Sequence, residues 1–235
     1  MARSTSPQAR KPKRAQVFTR KLLAWYATAA RDLPWRRTRD PYRVIVSEFM
    51  LQQTQVSRVA EFYPRFLKRF PTVEHLARAR PKAVREQWEG LGYYARASNL
   101  HALAKEVVRR HDATLPEQPD ELIKLPGVGR YTAGAVATFA YEKPVPAVDT
   151  NVARVLSRVF MGESGARRTA HRALWSLAAS IVPKTGKRAW RFNQALMELG
   201  ALICVARKPK CDRCPVRKSC RWIERAPKPA PLRRV

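Results

Sequence analysis

Two carboxylates and four thiols are the side chains in this sequence whose types and settings point to chemistry. Glu48 lies in a nearly apolar run with Val44, Ile45, Val46, Phe49, Met50 and Leu51. A carboxylate in such company costs energy unless it is paired, protonated or used; an outward-facing Glu is the equally weighted alternative. Asp149 stands just before Thr150 and Asn151, ahead of a helical face made by Val152, Val155, Leu156 and Val159. That places it at or beside an N-cap, where its carboxylate is expected to stay ionised near the helix dipole. Serving as a cap alone is the ordinary use of such an Asp.

The thiols are spaced Cys204-x6-Cys211-x2-Cys214-x5-Cys220. Structural zinc sites usually pair two short-spaced cysteine hairpins, and only one is present. Four thiolates in a compact basic loop suit a [4Fe–4S] cluster better, with zinc as the alternative. Arg207, Lys208, Lys210, Arg213, Arg217 and Lys218 would offset the cluster's negative charge. No redox partner is evident, so the expected role is structural: holding a cationic loop against a polyanion.

Between the carboxylates runs Leu125-Pro126-Gly127-Val128-Gly129-Arg130-Tyr131. Pro126 ends what precedes it, and Gly127 and Gly129 are both expected to offer positive φ and close backbone approach. A glycine turn opening onto a helix from Arg130 presents free N–H groups and a positive dipole end to an anion. An ordinary helical corner is the plain alternative.

The whole chain agrees with an anionic partner. Its 235 residues hold 47 Lys and Arg against 18 Asp and Glu, a formal net charge of +29. Such an excess predicts binding to polyanions through counterion release. No long apolar run, lipid anchor or secretory signal is evident, which favours nucleic acid over membrane.

The elements needed to position these residues are all helical. Amphipathic or apolar stretches are expected at about 17–30, from Pro41, at 56–69, 73–78, 81–89, 95–111, 130–141, after Asp149, and at 169–182 and 189–203. Pro34, Pro71, Pro81, Pro116 and Pro119 mark breaks. Gln52, Gln53 and Thr54 form a polar cluster suited to base edges or to water. Gly90-Leu91-Gly92-Tyr93-Tyr94 is a glycine turn with two aromatics that could stack on bases, although burial is the commoner outcome. Residues 1–15 read as a disordered basic arm with a weak nuclear-address signal. No alternating strand pattern appears, so the fold class is all-α.

Together these pieces resemble the helix–hairpin–helix DNA glycosylases with an iron–sulfur loop, the endonuclease III superfamily, and most closely its A/G-specific adenine glycosylase branch. The matching stretches are Leu33–Arg36, Val46–Val56, Gly90–Arg96, Leu125–Thr132, Asp149–Val152, Phe192–Ala201 and the four cysteines, continuous in order over about 16–222. The resemblance implies a six-helix lobe over 35–143 and a cluster lobe of 16–34 with 144–222, followed by a basic Pro-rich tail at 223–235. It also implies a DNA cleft between the lobes, into which the target base is flipped.

By the same resemblance, Glu48 is the general acid that protonates the departing adenine. Asp149 stabilises the oxocarbenium-like sugar, with Tyr131 and Asn151 as further participants around it. Arg31, Trp35 and Gln194 line the adenine pocket, and Gln53 and Tyr93 wedge into the duplex. Gln52, Thr54, Gly127, Gly129 and Arg130 contact DNA. Tyr131 occupies the position of the catalytic lysine in bifunctional relatives, so a monofunctional enzyme is expected.

Two departures bear on opposite-base recognition. Adenine enzymes continue into a NUDIX-like domain that is not found in these residues, and Thr150 replaces their usual glycine. Thymine/uracil–guanine mismatch glycosylases with a tyrosine at this position are the alternative, and a non-catalytic iron–sulfur DNA-binding protein is a third reading. The expected partner is mismatched or damaged double-stranded DNA, bound by a monomer. If the source is bacterial, the location would be the cytoplasm at the nucleoid, with nuclear or organellar sites open otherwise.

Overall fold

The computed structural model describes residues 13–163 and 171–225. Among them the chain is helix and loop with no strand, as the all-α expectation requires. In order come α1 (Lys13–Ala29), α2 (Pro41–Leu51), α3 (Val56–Arg69), α4 (Val73–Arg78), α5 (Pro81–Trp88) and α6 (Ala95–Arg110). They are followed by α7 (Pro119–Leu122), α8 (Arg130–Phe139), α9 (Thr150–Leu156), α10 (His171–Ile181), α11 (Gly186–Leu202) and α12 (Arg221–Arg225). The short α7 was not expected from the sequence; Pro119 as its first residue and Asp120 and Glu121 in its first turn suit a helix start.

The chain divides into two compact units. One holds residues 31–147 and 183–193; the described part of the other is 13–30, 148–163, 171–182 and 194–225. In the first, α2 is surrounded by α3, α6 and α8, which accounts for its apolar composition. Ile45, Phe49, Phe66, Leu76, Trp88, Leu100 and Leu103 are almost fully buried there. Tyr42 anchors this core by donating to the Phe70 carbonyl at 2.7 Å.

In the second unit, Phe18 and Leu22 of α1 are fully buried, and Phe18 meets Phe160 edge-on at 5.1 Å. The expected basic arm ends earlier than residue 15, because α1 already begins at Lys13. Arg14 fixes that first turn by donating to the Ser219 carbonyl at 2.7 Å and pairing with Glu224 at 3.0 Å. Residues 1–12, the rest of that arm, lie outside the described residues, as does 226–235, most of the expected tail. Residues 223–225 belong to α12.

Candidate active site and cluster loop

Helix α2 starts firmly and delivers Glu48 inward. Asp40 caps it by accepting the Arg43 N–H at 2.9 Å, and Pro41 sits at its first position. Glu48 is only 4% exposed, which removes the outward-facing alternative. The Tyr131 hydroxyl donates to Glu48 Oε2 at 2.7 Å. The sequence expectation grouped Tyr131 with Asn151 around Asp149 and did not include this bond to Glu48. A buried acid with a hydroxyl fixing one oxygen is oriented for proton transfer from a defined atom.

Tyr131 is delivered by the glycine hairpin. Gly127 has φ +73°, and a Cβ there would come within 2.7 Å of Asn99 Cβ. Gly129 departs from expectation: it caps α8 in extended conformation at φ −91° and ψ 175°, so only one of the two glycines needs positive φ. An added Cβ at Gly129 would meet nothing within 4 Å, which leaves the first turn of α8 open to backbone approach.

The segment after α8 leads to Asp149 and is held tightly. Asn193 accepts the Ala147 N–H at 3.0 Å and donates to the Val145 carbonyl at 3.0 Å. Gly134 lets α8 approach this segment, since a Cβ there would lie 2.3 Å from the Pro146 carbonyl oxygen. Asp149 then caps α9 as expected, its Oδ1 accepting the Val152 N–H at 2.7 Å. Asn151 donates to the other oxygen at 3.1 Å.

The cap is not the largest influence on the electrostatics of Asp149. Burial of the carboxyl pushes its pKa above the ordinary carboxylate value, although the Val152 and Asn151 hydrogen bonds and the Arg154 charge oppose this. Desolvation outweighs the cap. Arg154 braces the same turn, donating to Asn151 Oδ1 at 2.7 Å, to the Gly200 carbonyl at 2.8 Å and to the Cys204 carbonyl at 2.8 Å.

Two exposed turns carry the residues expected to enter the duplex. Gln53 and Tyr93 are both non-glycine residues at positive φ, 55° and 48°. Each such residue costs about 1–3 kcal/mol and persists only where its surroundings enforce it. Tyr93 is 63% exposed, so burial does not explain it. Beside it, Tyr94 carries the Arg85 guanidinium 4.8 Å over its ring. Gln52 ends α2, Thr54 Oγ1 donates to the Gln52 carbonyl at 3.3 Å, and Arg130 is exposed at the start of α8. Trp35 is buried in a turn at Pro34–Arg36, edge-on to Tyr63 at 5.7 Å. Arg31 is half-buried, and Gln194 is buried on α11.

All four cysteines line one cavity, along with Arg158, Val216 and Trp222. Four thiols around one cavity are a donor set that an iron–sulfur cluster can take. Burial pushes the Cys214 thiol up to about 11, so cluster binding must displace its proton. Arg158 lies in a π-helical turn, Ser157–Met161. It donates to Cys204 Sγ at 3.4 Å, to the carbonyls of Val205 and Ala206 at 2.8 and 2.9 Å, and lies 5.0 Å over Trp222.

Residues 46–180 match the family described as HhH-GPD superfamily base excision DNA repair protein. The chain belongs to the HhH-GPD superfamily. Residues 204–220 match the iron–sulfur binding domain of endonuclease III, spanning all four cysteines of this HhH-GPD chain. It is 47% identical over 202 residues to the adenine DNA glycosylase of Mycolicibacterium smegmatis, covering 86% of this chain and 68% of that one. It is 43% identical over 219 residues to human adenine DNA glycosylase, covering 89% of this chain and 40% of the human protein. Among solved structures, a thermostable thymine-DNA glycosylase matches with a TM-score of 0.84 at 34% identity, over 91% of this chain and 98% of that one.

Sequence reasoning passed over three arginines of this HhH-GPD chain as functional residues. Arg96, Arg154 and Arg158 each turn a guanidinium onto several main-chain carbonyls. Their only sequence signal is position: Arg96 follows the Gly90–Tyr94 turn, and Arg154 and Arg158 lie in and just after the helix that Asp149 caps.

Proposed function

We propose that this chain is a monofunctional base-excision DNA glycosylase that hydrolyses the N-glycosidic bond of mispaired adenine, opposite 8-oxoguanine or guanine. The observation that carries this reading is the contrast between its two carboxylates. Glu48 is buried with a single phenol on one oxygen, whereas Asp149 caps a helix and accepts two N–H bonds that offset part of the cost of burying its charge. Glu48 protonates the departing base, and Asp149 stabilises the positive charge that develops on the sugar. The logic is that of two-carboxylate glycoside hydrolysis with a nucleobase as leaving group. Tyr131 fixes the acid and offers no amine, so no Schiff base forms and the strand is not cut.

In this reading Arg31, Trp35 and Gln194 receive the base. Gln53 and Tyr93 fill the stack that it leaves, and the turn at Gly127 and Gly129 meets a phosphate with Arg130. Cys204, Cys211, Cys214 and Cys220 hold a [4Fe–4S] cluster, which supplies a structural clamp on a cationic loop at the DNA surface. The enzyme works as a monomer on double-stranded DNA.

The match to a thymine-DNA glycosylase favours thymine as the target in the second reading, that of a thymine/uracil–guanine mismatch glycosylase. Single-turnover base release separates the two on four duplexes: A opposite 8-oxoguanine, A opposite G, T opposite G and U opposite G. Alkali-revealed abasic sites in the adenine duplexes alone bear out the proposal. Release of only thymine or uracil moves the chain to the mismatch branch. Strand cleavage without alkali contradicts monofunctional action.

A further inference from the structure

We propose that Arg96 is a positioning residue for base release: one buried guanidinium joins the Gln53 turn and the Tyr93 turn into a single rigid jaw, so both probes enter the duplex together. This rests on the preceding reading for the roles of Gln53 and Tyr93.

Arg96 is the second residue of α6 and is 7% exposed. Its Nη1 donates to the carbonyls of Phe49 at 3.0 Å and Met50 at 2.8 Å, and to that of Gln52. Its Nη2 donates to the carbonyls of Leu91 at 3.1 Å and Gly92 at 3.0 Å, and Nε reaches the Tyr93 carbonyl at 3.4 Å. The first three acceptors lie at the C-terminal end of α2, where carbonyls lack helical partners and the dipole favours a cation. The other three belong to the glycine turn. None of the six is a carboxylate, so the buried charge is met by carbonyl dipoles drawn from both turns.

The placement is specific. The Gln52 carbonyl belongs to the peptide unit that enters Gln53, and the Gly92 carbonyl to the one that enters Tyr93. Arg96 thus grips the peptide immediately before each left-handed residue. It also holds the last turn of α2, one residue after Glu48. A guanidinium offers five N–H donors in a fixed planar fork, whereas an ammonium offers three from a single point. Only the fork serves both turns at once. With the jaw pre-formed, the ordering cost of both wedges is met before DNA is engaged.

The test is amide hydrogen exchange on the free chain, then single-turnover base release, for wild type and Arg96→Lys. In the variant, residues 52–54 and 92–94 both exchange at least about tenfold faster. Unchanged protection in α4 and α5 reports that the variant is folded. Faster exchange in one turn alone, or in neither, overturns the jaw whatever the DNA experiment gives.

Release is compared on a stacked target pair and on the same pair flanked by mismatches that already unstack it. The variant falls roughly a hundredfold on the first and less than about threefold on the second. An equal fall on both overturns the positioning role. A wild-type chain that releases no base contradicts the function proposed above, and the exchange result still decides the jaw. If Arg96→Lys does not fold, wild-type exchange decides: one shared opening free energy for the two turns supports the jaw, and unequal values overturn it.

Discussion

The role proposed for Asp149 would come at the expense of the fold. Burial raises its pKa in the folded protein above the unfolded value. The folded state therefore holds that proton more tightly. The resulting stability is fully present below the unfolded pKa and is lost as pH rises through the folded pKa. At neutral pH the ionised carboxylate is a cost. Asp149→Asn keeps a competent N-cap and removes the charge. We expect it to melt higher than wild type at neutral pH, with the gap closing in acid, while base release falls by about 10²–10³-fold. A lower melting temperature at neutral pH would contradict the electrostatic argument. In the wild type, release should fail on the acid side at a pH above the ordinary carboxylate value, because the role proposed for Asp149 needs its charge. A pH–rate profile under single-turnover conditions checks that direction.

At the scale of elements, α9 must present Asp149 while packed tightly against α11. Gly200 makes that contact possible: an added Cβ would come within 2.7 Å of Asn151 Cβ and 3.2 Å of its backbone. Gly200→Ala should displace the first turn of α9, destabilise the fold by about 1–3 kcal/mol and weaken base release. Thermal melting and single-turnover rates read the two effects, and an unchanged rate would mean that α9 tolerates the shift. Most helices are legible in the sequence because apolar spacing and proline breaks fix them locally; α3 and α4 match the expected bounds. The inward turn of Glu48 and the exposure of Tyr93 were not legible. Both depend on which neighbours reach α2 and the glycine turn in space. Arg96, Arg154 and Arg158 stayed hidden for the same reason: in sequence a helical arginine looks like surface charge, and only the folded backbone shows which carbonyls it meets. The second hairpin glycine was misjudged because open space at an N-cap and positive φ leave the same residue in the sequence.

For the whole molecule, the formal charge of +29 predicts DNA affinity that falls steeply with salt. If about six to ten phosphates are neutralised, affinity drops by roughly 10³–10⁵ between about 50 and 200 mM salt. A flat salt profile would exclude a broad phosphate interface. The cluster loop contributes to that charge, so Cys214→Ser should lose iron and visible absorbance and bind DNA more weakly. Full iron content in that variant would remove Cys214 from the ligand set. The most direct test of the proposed chemistry is Glu48→Gln. Glutamine is close in shape and can still accept from Tyr131, but it has no acidic proton to give. Adenine release from a duplex with A opposite 8-oxoguanine should fall to background under single-turnover conditions, with duplex affinity within about threefold of wild type. Release at the wild-type rate would contradict the assignment of Glu48 as the acid that frees the base.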